Sequence, residues 1–451
     1  MLNGFIRINK ECKTELHNNK ILCVYSATQT YTSAVFEHLI SFANHSKNSW
    51  FYLDILEFDS DSIALDSFDS IVIHYSVRLP FGQLNEAHQR RLQKFSGLKI
   101  LFIQDEYDGT NLVKKIINSI PFNLVFSVVP QKSLEKIYPK SEFPQTKFVT
   151  NLTGYVPEEL VKQYKRVASP MKRPLIIGYR GRELPVRYGR LGQEKSQIGY
   201  AVRDYCIAHQ IDFDIKCNEA SRIYGDKWYK FVSSMRAMLG SESGSNIFDW
   251  DSSLDQEIMD YKSRHPNSKH EELYINLLQD REIDGLMNQV SPKIFEMAAA
   301  KTIMILFEGE YSGVVKPHVH FFPLKKNLSN LSQIVALLKD NDLVNKMAKR
   351  TYEDIIASGK FSYREFVRMV DGEMNSLLIE LTKLHSYSRS EVSVTQSKKI
   401  TPLPIRYKRS ATLKLSLLVL GPRYAAVRKS FFMLLPPALR PLIKKIVLKY
   451  L

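Results

Sequence analysis

Several features that define common protein classes are missing from this chain of 451 residues. No run of about 18 apolar residues is present, so we predict no membrane-spanning helix. Residues 1–20 are polar and lack the apolar core of a signal peptide. The sequence GxGxxG does not occur, which argues against a dehydrogenase-type dinucleotide site. The cysteines form no CxxC pair and no disulfide-like pattern, so we expect thiols in a reducing cytosol at Cys12, Cys23, Cys206 and Cys217.

Acidic residues are absent from the last part of the chain. After Glu391 there is no Asp or Glu, whereas 13 Lys and Arg follow. Because the net charge of the whole chain is +16, residues 1–391 carry only +3. We therefore predict no nucleic-acid partner for the body of the protein. The length predicts two or three domains, which we place at 1–165, 166–385 and 386–451.

The segment after residue 385 alternates apolar clusters with Lys and Arg. A link rich in Ser, Thr and Lys at 386–400 precedes clusters that are too short and too charged to cross a bilayer. They suit helices that lie in a membrane interface, with residues 431–434 turned inward and the cations near an anionic leaflet. The alternative is a helical subdomain packed on the body or on a partner. The membrane interpretation predicts a cytoplasmic protein bound peripherally to the inner face of the cell membrane.

Apolar strands alternate with helical stretches through the first 150 residues. Strands are predicted at 21–27, 51–56, 70–76, 99–105 and 124–129, separated by helical stretches. This alternation predicts a parallel sheet that is covered by helices on both faces. In such sheets, ligands bind beyond the carboxyl ends of the strands.

Three polar side chains at the carboxyl ends of predicted strands of this sheet are candidate catalytic residues: His74, Asp105 and Glu106. His74 is suited to act as a general base or to hold a hydroxyl group, and Asp105 or Glu106 to take a proton from a hydroxyl. The alternatives are a histidine that is satisfied at the edge of the core, and acids in a turn or at the start of a helix.

A second domain is predicted to begin after a basic, proline-containing linker at 162–174. The next strand is predicted to end at Gly178, and Arg180 and Arg182 follow directly. Lys195 precedes a helix that we expect to open at Ile198. An arginine fork matches the geometry of a phosphate, and a lysine supplies a point charge. The alternative is surface charge on a long loop.

The stretch 291–313 combines a short helix, an apolar strand and a turn. Ser291 is a good N-cap, and Pro292 fits the first helical position. Lys293 and Glu296 are three residues apart and share one helix face. A carboxylate at this place can accept two hydrogen bonds from a ribose diol, whereas the alternative is an amphipathic helix with solvated Lys and Glu. The turn after the strand contributes further polar or flexible positions, namely Glu308, Gly309, Glu310 and Gly313.

This stretch resembles the donor-nucleotide motif of GT-B glycosyltransferases, in which a P-x-x-x-(F/L)-E-A-x-A-x-G helix carries a ribose-binding Glu. The matching residues are Pro292, Phe295, Glu296, Ala298 and Ala300. Lys301 stands where the family often has Gly, and Asn288 stands where retaining members often have a second Glu, so the stereochemistry stays open. The run FEGEYSGVVKP with HFFPLKK is similar to a bacterial, spore-maturation-type branch. The resemblance covers about residues 20–385.

The resemblance implies an α/β protein of two Rossmann-like parallel-sheet domains facing a cleft, with the last helices crossing back onto the first domain. It implies transfer of a sugar from a nucleoside diphosphate to a hydroxyl of a lipid-linked or cell-surface glycan. Glu296 would hold the ribose, and the acceptor side would use His74, Asp105 and Glu106. The other donor-binding residues would be Arg180, Arg182, Lys195, Ser291, Lys293, Glu308, Gly309, Glu310 and Gly313. The alternatives are a transferase of polyol phosphates and a non-catalytic scaffold at the membrane.

A metal ion and a resident cofactor are not expected. Asp249-Trp250-Asp251 spells DXD, the metal motif of the other large glycosyltransferase fold, and IDFDI contains a second copy within a predicted strand. We interpret both as structural, because basic side chains can neutralise a diphosphate in a GT-B site. The preceding Gly/Ser loop at 240–246 has amides that could cradle an anion or sugar hydroxyls.

Overall fold

A computed structural model describes residues 6–7, 19–30, 32–59, 63–164 and 167–384. The predictions for the basic segment 386–451 and for Cys12 lie outside these residues. The described chain forms a seven-stranded and a five-stranded sheet, each covered by helices. Two Rossmann-like parallel-sheet α/β domains, the expected fold class, are confirmed. Within the described ranges, no helix has both the length and the apolar character that crossing a membrane requires.

The first sheet has the strand order β1-β3-β2-β4-β5-β6-β7, and only β1 runs antiparallel to its neighbour. Its strands are β1 (Ile6–Arg7), β2 (Lys20–Tyr25), β3 (Ser49–Asp54), β4 (Ser70–Ile73), β5 (Leu98–Phe102), β6 (Leu124–Ser127) and β7 (Lys147–Thr150). The helices of this part are α1 (Ser33–His45), α2 (Glu86–Lys94), α3 (Thr110–Ser119) and α4 (Leu134–Ile137). Strands β4, β5 and β6 are buried at every position, which explains why the sequence shows continuous apolar runs there.

The second sheet is entirely parallel and has the order β12-β11-β10-β8-β9. Its strands are β8 (Leu175–Arg180), β9 (Phe213–Lys216), β10 (Met235–Gly240), β11 (Ile303–Phe307) and β12 (Phe321–Leu324). The helices are α5 (Glu158–Gln163), α6 (Gly189–Ala208), α7 (Asp226–Ser234), α8 (Leu254–Arg264), α9 (His270–Leu273), α10 (Lys293–Ala299), α11 (Leu331–Leu337), α12 (Asn341–Thr351) and α13 (Tyr363–Leu384).

Two element boundaries differ from the prediction. Strand β8 does not end at Gly178 but continues to Arg180, because Arg180 still pairs with Lys216 of β9. Helix α6 does not open at Ile198 but at Gly189, whose φ of +63° turns the chain out of a short 3-10 turn. Lys195 therefore lies inside the helix, within its second turn, and not on a loop.

Helix α13, the last helix within the described residues, returns to the first domain, as the resemblance implied. Phe366, Val370 and Met374 of α13 belong to the same buried cluster as Ile21 and Phe42 of the first domain. Asp371 accepts hydrogen bonds from Ser46 Oγ at 2.8 Å and from Asn48 Nδ2 at 3.0 Å. Helix α13 thus packs beside α1 on the same face of the first sheet.

The loop after β10 also crosses between the domains. Its Phe248 is buried in the core of the first domain, together with Leu286 and Met287 from the segment before α10. The backbone amide of Asp249 donates to the Tyr107 carbonyl at 2.8 Å, and that of Thr110 donates to the Asp249 carbonyl at 3.2 Å. Both domains are therefore joined by main-chain hydrogen bonds as well as by the covalent linker.

Candidate active site

Three cations, Lys195, Lys293 and Arg182, lie near one another at the carboxyl ends of β8 and β10. Lys195 Nζ donates to Ser243 Oγ at 2.9 Å, and Lys293 Nζ donates to the Arg180 carbonyl at 2.7 Å. Burial, followed by the positive charges of Lys293 and Arg182, lowers the pKa of Lys195 to about 8. Burial also lowers the pKa of Lys293, which Arg222 and Arg182 lower further. Cations that destabilise one another in this way are stabilised by a bound anion.

Arg180 stands apart from this cluster, although it comes first in the sequence. Its guanidinium forms an ion pair with Asp214 at 2.7 Å and lies 4.1 Å from the ring centroid of Phe231. Only 8% of the residue is exposed. Arg180 therefore offers the site its main-chain carbonyl, which holds Lys293, whereas its side chain is engaged with β9 and α7.

Glu296 is half-buried on α10 and lines a small pocket between the domains. Its Oε2 accepts a hydrogen bond of 2.7 Å from the indole Nε1 of Trp228. Burial raises the pKa of Glu296 to about 7, against the opposing effects of Trp228 and Lys293. The first domain contributes Glu37 of α1 to the same pocket. The carboxylate that the sequence singled out therefore faces the interdomain cleft and not a dry core.

The start of α10 differs in detail from the prediction. The helix begins at Lys293, Pro292 occupies the capping position, and no side-chain hydrogen bond caps it. Ser291 takes part through its carbonyl, which accepts from the Ile294 amide at 2.9 Å. Helix boundaries vary by one or two residues between criteria, so the prediction of a helix here stands, while a capping hydroxyl at Ser291 does not.

Glu242 is a central residue of the site that sequence reasoning missed. It follows β10, is 5% exposed, and joins three segments. Its Oε1 accepts from the amides of Glu310 at 3.2 Å and Tyr311 at 2.7 Å, and its Oε2 accepts from Asn288 Nδ2 at 2.6 Å. The available signal was an acid two residues after the end of a largely buried strand, at the edge where Arg180 ends β8.

The turn after β11 is shaped by Glu242 and by its own glycines. A Cβ at Gly309 would lie 2.7 Å from Glu242 Oε2, so a larger residue there would require the Glu242 side chain to move. Gly313 has a φ of +71°, which a residue with a side chain rarely adopts. The side chain of Glu308 is exposed, and that of Glu310 forms an ion pair with Lys132 of the first domain at 2.7 Å. The turn therefore lies at the boundary between the domains.

Of the two predicted acids on the first domain, Asp105 is the one whose side chain is exposed to solvent. It lies three residues after the end of β5 and has a φ of +59°, which is uncommon for residues other than glycine, and its side chain is 45% exposed. Tyr107 Oη donates to Asp105 Oδ1 at 2.7 Å, and Arg78 Nη2 lies 3.6 Å from Oδ2. The charge of Asp105 acts on Lys195 of the second domain. The structure therefore brings Asp105 toward the cation cluster across the cleft.

His74 and Glu106 are placed in the interior instead. His74 is fully buried, and its Nε2 and His38 Nδ1 share a hydrogen bond of 2.9 Å. Burial holds the pKa of His74 well below its usual range. Glu106 is 1% exposed, accepts from Ser127 Oγ at 2.6 Å and from the Val128 amide at 3.0 Å, and has a pKa that burial raises to about 7. Neither side chain reaches the cleft in this conformation.

The two DXD sequences form ion pairs and hydrogen bonds. Asp249 contacts Arg187 at 3.2 Å and accepts from the Leu254 amide at 3.2 Å, and Asp251 accepts from Asn111 Nδ2 at 2.8 Å. In IDFDI, Asp214 pairs with Arg180. Among the described residues, no group of three or more His, Cys, Asp or Glu is arranged to hold a metal ion. The independence from metal stays a prediction.

The comparisons with known proteins give similar folds at low identity. No protein-family model matches the chain, and no curated protein matches it. An alpha-glucosyltransferase in complex with UDP and a 13-mer DNA is 11% identical over 79% of this chain and 99% of that chain, with a TM-score of 0.48. HepE of Anabaena in complex with UDP and glucose is 11% identical over 79% and 100%, with a TM-score of 0.42. The pneumococcal O-GlcNAc transferase GtfA in complex with UDP and GlcNAc is 11% identical over 73% and 61%, with a TM-score of 0.34.

Proposed function

We propose that this protein is a glycosyltransferase that moves a sugar from a nucleoside diphosphate to a hydroxyl group. The observation that carries the proposal is the placement of Glu296 and Lys293 on one helix face, beside Lys195 at the same sheet edge. A carboxylate suits the vicinal hydroxyls of a ribose, and clustered cations suit a diphosphate. One donor molecule would satisfy both.

In the proposed reaction, an acceptor oxygen attacks the anomeric carbon of the sugar. The bond between that carbon and the diphosphate oxygen breaks, and the nucleoside diphosphate leaves with the bonding electrons. Lys195, Lys293 and Arg182 would neutralise the charge that develops on it. Asp105 would take the acceptor proton, because its side chain is the exposed one among the three predicted candidates His74, Asp105 and Glu106. Glu242 would hold the turn at 308–313 beside the donor sugar.

The acceptor and the setting are extensions of this proposal. A lipid-linked or cell-surface glycan fits a cytoplasmic enzyme whose last 60 residues, 392–451, carry 13 Lys and Arg and no acid. The bacterial spore-maturation-type branch is supported by the sequence FEGEYSGVVKP. These statements concern the substrate and the location, and the transfer chemistry does not depend on them.

The test is the binding of nucleoside diphosphates to the wild type and to Glu296→Ala, measured by calorimetry with UDP, GDP, ADP and CDP. Loss of hydrogen bonds to a charged group should weaken the preferred nucleotide by about 10- to 100-fold. Glu272→Ala is the control, because Glu272 is exposed on α9. Hydrolysis of the matching nucleotide sugar should fall in parallel. Absence of heat with every nucleotide would favour the scaffold alternative, and unchanged affinity in Glu296→Ala would refute the assigned ribose site.

A further inference from the structure

The partner of Glu296 in this structure is an aromatic side chain from a different element. Trp228 lies in the first turn of α7, far from α10 in sequence, and its Nε1 is 2.7 Å from Glu296 Oε2. Indole N–H is a donor only, so this hydrogen bond has a fixed direction from Trp228 to the carboxylate. A hydrogen bond to a charged acceptor is among the stronger ones in proteins.

The indole ring is held in place on two sides. Its centroid lies 5.7 Å from that of Phe231 with an interplanar angle of 28°, and Lys293 Nζ lies 5.5 Å from the ring. Lys293 itself is tied to the Arg180 carbonyl. Trp228 therefore links the cation cluster to the carboxylate, and its N–H direction is set by packing and not by the Glu296 rotamer alone.

We propose that Trp228 is a positioning residue for the donor: its indole N–H holds the Glu296 carboxylate in the orientation that accepts the ribose hydroxyls of a nucleoside diphosphate. This inference rests on the proposed function and adds to it a residue that does not itself contact the phosphates. The bond uses one carboxylate oxygen and leaves the other oxygen available to a ligand.

The surroundings of Glu296 predict how the pair responds to pH. The titratable or charged groups around it are Lys293 on α10, Glu37 on α1, Tyr229 on α7 and Tyr164 after α5. Burial raises the pKa of Glu296 to about 7, and the Trp228 hydrogen bond acts in the opposite direction. Removal of that donor should move the pKa higher, so that fewer molecules carry the carboxylate at neutral pH.

The experiment compares Trp228→Phe with the wild type by calorimetry, using the nucleoside diphosphate that the wild type binds and, separately, inorganic pyrophosphate. At pH 7 the variant should bind the nucleoside diphosphate about tenfold more weakly, and at pH 8.5 the deficit should shrink. Pyrophosphate affinity should stay within about twofold, because the cations remain in place. The control is Trp250→Phe, whose indole packs against the core of the first domain.

A double-mutant cycle separates positioning from a loss of structure. In a Glu296→Ala background, Trp228→Phe should cause no further loss of nucleoside diphosphate affinity, because its effect passes through that carboxylate. Additive losses, an equal loss for pyrophosphate, or unchanged binding in Trp228→Phe would each overturn the inference. If Glu296→Ala weakens binding and Trp228→Phe does not, only the role of Trp228 fails, whereas a wild type that binds no nucleotide removes the proposed function itself.

Discussion

Two carboxyl groups in the cleft, those of Glu37 and Glu296, are buried in a way that favours their neutral form. Glu37 comes from the first domain and Glu296 from the second, and both line the same pocket with Tyr229 and Tyr363. Burial, followed by the negative charge of Glu296, raises the pKa of Glu37 to about 7. Groups that are costly to ionise and lie in a cleft are typical of binding sites, where stability is given up for a ligand.

We predict that Glu37→Gln stabilises the protein at pH 8 and not at pH 4. The pKa of Glu37 is about 7 in the fold against an ordinary 4.5, so the folded state binds more protons between these values. The contribution of Glu37 to the free energy of unfolding is therefore present at low pH, where the carboxyl is protonated in both states, and is lost as the pH rises through 7. Urea unfolding should show a gain of about 1–3 kcal/mol at pH 8. The exposed Glu272→Gln should show no such gain, and equal stability of Glu37→Gln and wild type at pH 8 would contradict the prediction.

Site residues with a local signature could be found in the sequence, and those that depend on distant partners could not. Glu296 and Lys293 are three residues apart on one helix, and Lys195 follows a strand of the sheet by a short interval. Trp228 and Glu242 reach the site only because α7 and the loop after β10 pack beside α10 and the turn at 308–313. A single sequence does not contain those distances.

The sequence also does not show which polar side chains at the strand ends are buried and which face the solvent. The position of His74 directly after β4 predicts a side chain at the rim of the sheet, but His38 of α1 and the aromatic residues around it enclose its ring. Glu106 follows Asp105 directly, yet it turns inward to Ser127 while Asp105 stays open. The positive φ of Asp105 separates the two side chains, and periodicity does not reveal it.

Among the elements, α13 packs on the first domain, although it begins at Tyr363, nearly 200 residues after the end of that domain at residue 165. Phe366 of this helix is 2% exposed, and its ring centroid lies 4.4 Å from that of Tyr155 and 5.7 Å from that of Phe42. The amphipathic pattern of 361–384 predicts a helix, but only the resemblance indicated where it packs.

Phe366→Ala should therefore destabilise the first domain by about 3–5 kcal/mol, the usual cost of removing a buried phenyl ring. The same change at Ile379, which is 55% exposed on the same helix, should cost far less. Chemical unfolding followed by tyrosine and tryptophan fluorescence would measure both. A similar effect of the two substitutions would mean that α13 contributes little to the first domain.

At the scale of the whole molecule, the charge is unevenly distributed along the chain. Residues 392–451 contain 13 Lys and Arg without an acid, whereas residues 1–391 are close to balance at +3. Each cation near an anionic leaflet adds about 1 kcal/mol to membrane attraction, so this segment exceeds what a weak anchor needs. The sequence alone supports this proposal.

We expect deletion of residues 392–451 to abolish sedimentation of the protein with vesicles of phosphatidylglycerol and phosphatidylcholine. Vesicles of phosphatidylcholine alone are the control, since they remove the electrostatic attraction and keep the bilayer. Nucleotide binding by the shortened protein should match the full chain. Undiminished sedimentation after the deletion would favour the alternative in which the segment packs on the body or on a partner.

Arg187 is surrounded by carboxylates from both domains. It lies 3.0 Å from Asp108 of the first domain, 3.2 Å from Asp249 and 3.1 Å from Asp255, and Asp108 and Asp249 are also bridged through their backbones. The Lys132–Glu310 pair at another point of contact is exposed on both sides and is weakened readily by salt. Added salt should therefore weaken the exposed Lys132–Glu310 pair before it weakens the contacts of the more buried Arg187 with Asp108 and Asp249.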